Sequence, residues 1–126
     1  MATTNHERVG KALDLLKSGL GPFIERELVS TYKDRAAAET VRLLGEDRLN
    51  AKRPVADWDA SALLRLMWDA WNDVFRNTLG PAERGLVGEL RGHRNDWAHQ
   101  KTFSSDDTYR ALDSAGRLLT AVSAQE

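Results

Sequence analysis

The chain has 126 residues, 41% hydrophobic and 29% charged, which suits one globular domain over residues 1–126 with a modest core. Its formal net charge of -1 excludes a general electrostatic grip on nucleic acid, so any RNA or DNA must be held by a local patch. The absence of cysteine removes disulfides, thiolate zinc sites and thiol catalysis, and no run approaches the ~20 apolar residues of a membrane span.

A cytoplasmic address is the resulting expectation, and the chain reads equally well as a whole protein or as the leading domain of a longer one. Thirteen of the eighteen basic residues are arginine, which favours planar, bidentate anion contacts. At the start, Thr3, Thr4 and Asn5 offer capping oxygens, and Val9, Leu13, Leu16 and Leu20 recur at helical spacing. This predicts a first helix from about Asn5 to Ser18, stopped by Gly19-Leu20-Gly21-Pro22. Pro22 then suits the first position of a second helix faced by Ile24, Leu28 and Tyr32. The stretch from Arg35 to Leu44 is alanine-rich, with Val41 and Leu44 at core spacing and Gly45 placed to end it. From Gly45 to Asp57 no period survives, and Asn50 and Pro54 among basic residues predict a solvated loop.

Asp57 or Asp59 can cap a strong helix in which Leu64, Met67, Trp68, Trp71 and Phe75 form an aromatic stripe. Such a stripe could stack a base, but aromatic side chains dominate core burial, so a buried helix is expected. Leu79-Gly80-Pro81 breaks the chain, and Pro81 opens the next helix, which runs to about His99. Lys101 to Ser105 makes a connection, after which Ser104 or Ser105, with Asp106 and Asp107, supplies a capping oxygen and negative charge to a last helix. Leu112, Ala115, Leu119 and Val122 mark its apolar face, with Ala111 and Gly116 small enough for close helix approach. No strand-like alternation and no internal repeat intervenes, so the predicted architecture is all-α, a compact bundle of five to six helices.

The densest chemistry lies between Glu89 and Gln100, which holds two of the three histidines and two arginines among apolar residues. At about 100° per residue, Leu86, Leu90 and Trp97 share a core face, with Val87 and Ala98 at its margin. That face is expected to pack against Trp68, Trp71 and Phe75. Arg94 falls about 40° from Leu90, inside the stripe, and a guanidinium so placed needs an anion or hydrogen-bond acceptors. Asp69 or Asp73 would meet the need structurally, and a phosphate would meet it functionally. Asn95 and His99 are four apart and share the opposite side, where His99 has the plain alternative of capping the helix C-terminus. Arg91, one turn before Asn95, could widen a phosphate-binding surface, and Lys101 adds a cation just beyond. His93 lies at the edge of the apolar stripe; it is simplest as a satisfied core histidine, with substrate binding as its second role. Asp96 is in reach of Arg91, and His6 has no partner in the sequence.

The string from Glu83 to Leu118, with Arg94-Asn95 opening the motif, His99 closing it, a short Ser/Asp-rich turn and a helix near Asp106, resembles the HEPN superfamily of helical domains. Gly21-Pro22-Phe23-Ile24-Glu25-Arg26-Glu27 and the segment from Trp68 to Phe75 are similar to one group in particular. That group is found in a nuclear transcript-surveillance endoribonuclease and at the N-terminus of large prokaryotic ATPase and defence proteins.

The resemblance implies a metal-independent endoribonuclease that needs no cofactor, with Arg94, Asn95 and His99 as catalytic residues and RNA as partner. Attack by the RNA's own 2′-hydroxyl needs a base, an acid and cationic donors at phosphorus, which histidine and arginine supply. Each chain brings one motif histidine, and catalytic members pair two motifs across a twofold axis, so a homodimer is expected. Some toxin-type members carry a tyrosine two positions after the histidine; Lys101 stands there, which argues against regulation by tyrosine modification. The other reading is a catalytically inactive HEPN dimerisation, regulatory or nucleotide/RNA-binding module of a larger ATPase or defence system. A helix-turn-helix DNA binder is disfavoured by the near-neutral charge and the lack of a basic recognition helix.

Overall fold

The computed structural model describes residues 4–45, 50 and 53–123. Among these are five α-helices: α1 (Asn5–Tyr32), α2 (Ala36–Leu44), α3 (Ala60–Asp69), α4 (Pro81–Ala98) and α5 (Ser105–Ser123). Short 3-10 turns at Lys33–Arg35, Val55–Asp57 and Phe75–Asn77 join them, and no described residue is in a strand. The fold is all-α, as the periodicity predicts.

The helix starts follow capping chemistry. Thr4 Oγ1 accepts the Glu7 N–H at 3.1 Å, and Asp59 Oδ1 accepts the Ala62 N–H at 2.9 Å. Pro81 opens α4 while Glu83 Oε1 reaches back to the Gly80 N–H at 3.2 Å. At α5 the exchange is reciprocal: Ser104 Oγ accepts from the Asp107 N–H at 3.0 Å, and Asp107 Oδ2 accepts from the Ser104 N–H at 3.2 Å. Of the other two capping candidates at the N-terminus, Asn5 is the first residue of α1 and Thr3 lies outside the described residues.

The long α1 is the spine. Leu16, Leu20, Phe23, Ile24 and Leu28 are buried against Leu63, Leu64 and Met67 of α3 and Ala115, Leu118 and Val122 of α5. The expected break at residues 19–22 does not occur, and Pro22 lies inside the continuous helix. Proline there removes one backbone bond, at about 3 kcal/mol, but Ser18 and Pro22 are both exposed, so water can satisfy the freed carbonyl. Keeping Leu20, Phe23, Ile24 and Leu28 on one buried face, at roughly 1.5–3 kcal/mol each, outweighs that loss. Gly21 also has a packing role, since a Cβ there would stand 3.0 Å from the Ala56 backbone.

Other expectations shift for similar reasons. Val41 is exposed, and only Leu44 of that pair is buried, where α2 ends at Gly45 with φ 62°. The predicted loop from Gly45 falls partly on 46–49 and 51–52, outside the described residues, and its end is core rather than solvated. Val55 and Trp58 are buried, and the Trp58 indole N–H donates to the carbonyls of Asn50 at 3.0 Å and Arg53 at 3.2 Å. The aromatic helix stops at Asp69, before Trp71 and Phe75, which are carried by the turns that follow but remain buried. On α5 the buried face is Ala111, Ala115, Leu118 and Val122; Leu112 is exposed and Gly116 faces open space. Close approach comes instead at Gly19, which meets Leu119, while Asn5 Nδ2 donates to the Phe103 carbonyl at 3.0 Å. These two contacts show α1 and α5 running in the same direction.

A second, smaller cluster closes one end of the bundle: Val9, Leu13, Ala60, Phe103 and Ala111, with Trp97 packed on it. Leu90 and Val87 join the main core as expected, but Trp97 does not meet Trp68, Trp71 or Phe75. It is drawn to the start of α1, where the Cβ-less Gly10 leaves room for the indole edge.

Candidate functional site

The C-terminal half of α4 has three distinct sides. The core side carries Leu90. The side toward α5 carries Glu89 and His93. Glu89 accepts from Arg110 Nε and from Ser114 Oγ at 2.5 Å, and His93 Nε2 lies 3.9 Å from its Oε1. Burial alone would raise the Glu89 carboxyl, but the bonds from Ser114 and Arg110, with the charges of Arg110 and His93, hold it below the usual value. His93 is therefore not a satisfied core histidine: its Nε2 is buried with no hydrogen-bond partner. It points away from the remaining motif residues.

The third side holds Arg91, Arg94 and Asn95, which line a cleft of about 60 Å³ together with Ser61 and Arg65 of α3. Three arginines, a serine and an asparagine make up this lining, with no acidic residue among them. Arg94 is half-buried and has no ion pair with Asp69 or Asp73 among the described residues. Asp69 is engaged by Arg65 instead, at 3.5 Å. Such a concentration of like charge favours an anion, and guanidinium forks suit a phosphate.

Trp68 fixes the relation of α3 to α4. Its ring lies against Gly88, with the Arg84 guanidinium 4.4 Å and the Arg91 guanidinium 5.8 Å from the ring centroid. It is half-buried, and its indole face is taken by these cations rather than left free for a base.

His99 follows Asn95 by one turn and is the C-cap of α4, its backbone N–H bonded to the Asn95 carbonyl at 3.0 Å. The imidazole is exposed, so the capping role belongs to the backbone and leaves the ring available. Gln100 then takes a left-handed conformation, φ 60°, which turns the chain sharply after the histidine. Lys101 bonds back twice, its N–H to the Asp96 carbonyl at 2.9 Å and its ammonium to the Asp96 carboxylate at 3.3 Å. Asp96 thus pairs with Lys101 and not with Arg91.

Behind the motif, His6 and Trp97 are stacked, with ring centroids 5.1 Å apart. His6 is the residue for which sequence offered no partner; the partner is 91 positions away. Arg65 and Ser61 were likewise outside the predicted site. Their one local signal is the spacing of four that places both on one face of α3.

A wider groove of about 290 Å³ between α1, α2 and the 55–57 turn is lined mainly by Leu28, Val29, Val41, Val55 and Trp58. It lies apart from every motif residue and brings one carboxylate, Glu25, and one guanidinium, Arg53. Chemistry rather than size therefore singles out the arginine cleft. Among the described residues, no group of three or more His, Asp or Glu is placed to hold a metal ion, and no helix is long and apolar enough to cross a membrane.

An all-α bundle with an arginine-histidine motif at the end of its fourth described helix defines a HEPN domain. The family model for Swt1-like HEPN domains matches residues 11–123, and the chain belongs to that family. No curated protein and no solved structure matches the chain significantly.

Proposed function

We propose that the domain is a metal-independent endoribonuclease that cleaves RNA at a composite site in a homodimer. The observation that supports this reading is the arginine-lined cleft that includes Asn95, one helical turn before the exposed His99. In the proposed reaction a neutral His99 takes the proton of the 2′-hydroxyl, whose oxygen attacks the adjacent phosphorus. The bond from phosphorus to the 5′-oxygen breaks, and the protonated ring of the partner's His99 returns a proton to that leaving oxygen. Arg94 forks two hydrogen bonds to the non-bridging oxygens as charge builds there, and Asn95 orients the phosphate. Arg91 extends the cationic surface along the strand. Lys101 contributes a cation at the rim, partly offset by Asp96. A single domain over residues 1–126, acting in the cytoplasm and alongside an ATPase or defence partner, goes with this reading.

The test is RNA cleavage in the presence of EDTA, with analysis of the product ends. Fragments bearing a 2′,3′-cyclic phosphate and a 5′-hydroxyl are expected, with the rate falling about 10²- to 10⁴-fold in His99→Ala. A folded His99→Ala protein that cleaves at the wild-type rate would leave a non-catalytic binding module as the better account.

A further inference from the structure

Arg65 belongs to α3, outside the motif helix, yet it shares the cleft with Arg91, Arg94 and Asn95. Among the described residues its ion-pair partner is Asp69, at 3.5 Å, and both side chains are about half exposed, 54% and 42%. A surface pair of this kind is weak and yields readily to a competing anion. Arg91 lies against the Trp68 ring, and Arg65 and Arg91, carried on α3 and α4, both line this one cleft.

The position along α4 is informative as well. Arg91 precedes Asn95 by about 6 Å of helix rise, and His99 lies about 6 Å further on. A phosphate reacting beside His99, Arg94 and Asn95 therefore leaves Arg65 and Arg91 roughly one nucleotide step away. We infer that Arg65 and Ser61 of α3, with Arg91, form a subsite for the phosphate next to the scissile one. The inference rests on the proposed cleavage for the word scissile, but not for the anion site itself. The subsite makes the enzyme prefer a strand with at least two consecutive phosphates over a dinucleoside with one.

Two measurements test this. In the first, inorganic pyrophosphate is titrated calorimetrically into wild type, Arg65→Ala, Asp69→Asn and His99→Ala, each checked for native helicity. Arg65→Ala should bind about tenfold more weakly, as expected for loss of a hydrogen bond to a charged group. Asp69→Asn should bind more tightly, because it frees the guanidinium, and His99→Ala should match wild type. A merely structural Arg65 would not respond to Asp69→Asn in this way. In the second, cleavage of a dinucleotide is compared with that of the same dinucleotide carrying one added terminal phosphate, placed at either end. One of the two should show a lower KM in wild type, and Arg65→Ala should erase that gain.

Unchanged pyrophosphate binding and unchanged KM in folded Arg65→Ala, with normal cleavage, would overturn the subsite and leave the ribonuclease reading standing. Arg65-dependent pyrophosphate binding by a protein that cleaves no RNA would uphold the anion site and overturn the ribonuclease reading.

Discussion

His6 and Trp97 hold each other by three contacts at once. Their rings stack with planes 9° apart, the Trp97 indole N–H donates to the His6 carbonyl at 3.1 Å, and the His6 Nε2–H donates to the Trp97 carbonyl at 3.1 Å. The head of α1 is thereby clasped to the tail of α4, two residues before His99. Trp97→Phe keeps an aromatic ring but loses the indole N–H bond to the His6 carbonyl, and His6→Ala removes the stack and one bond. Losses of about 1–2 kcal/mol in chemical denaturation are expected for each. Cleavage should also fall although His99 is untouched, whereas full activity in both variants would show that the clasp does not position the motif.

Arg94 and His99 should separate in their effects. Arg94→Ala should weaken RNA binding and reduce the salt slope of log K by about 0.7, the value for one phosphate contact on a single strand. His99→Ala should change neither, because a neutral base contributes little ground-state affinity. Binding isotherms over a range of salt concentrations check both, and a salt slope in Arg94→Ala equal to wild type would remove the phosphate-clamp role.

Glu89 links stability to acid. Its carboxyl is held below the usual value, so the stability it contributes is fully present above the unfolded-state pKa of about 4.3 and is lost as pH falls through the lower folded value. Wild type should therefore weaken more steeply than Glu89→Gln as the pH is lowered below about 4.3. Parallel stability-pH curves for the two proteins would show that the bonds from Ser114 and Arg110 do not favour the ionised form.

As proposed, the composite site draws one His99 from each of two chains. Sedimentation at micromolar concentration should show a homodimer, and activity per chain should fall on dilution below the dimer dissociation constant. A monomer with undiminished cleavage would place the whole acid-base pair within one chain.

Two glycines in helices should respond with opposite signs. At Gly85 an added Cβ meets nothing within 4 Å, so Gly85→Ala should stabilise by about 0.5–1 kcal/mol through helix propensity. At Gly21 the same methyl would press on the Ala56 backbone at 3.0 Å, which cannot swing aside. Overpacking of about 1–3 kcal/mol should exceed the gain and give net destabilisation in thermal or chemical unfolding.

The parts legible in the sequence are those with local causes. Thr4, Asp59, Pro81 and Ser104 mark helix starts because capping is a matter of a few neighbouring residues, and Arg94, Asn95 and His99 stand on one helix at a readable spacing. Pro22 misled because its local signal is strong, while the burial that overrides it comes from α3 and α5. Arg65 was hidden for the opposite reason. Four residues before Asp69, it has the pattern of an ordinary surface ion pair, and only the packing of Trp68 on Gly88 brings it to the motif. His6 and Trp58 find their partners through the tertiary fold, across 91 and across 8 positions, where no period or motif announces them.

The shared direction of α1 and α5 sets an order of assembly. Arg94 and His99 leave the ribosome before α5 does, but Glu89 then lacks Arg110 and Ser114, and the cluster around Trp97 lacks Phe103 and Ala111. Closing contacts between chain segments this far apart is slow and comes late in folding. A nascent chain thus carries the motif without the frame that holds it, and the frame is completed only when α5 has been synthesised.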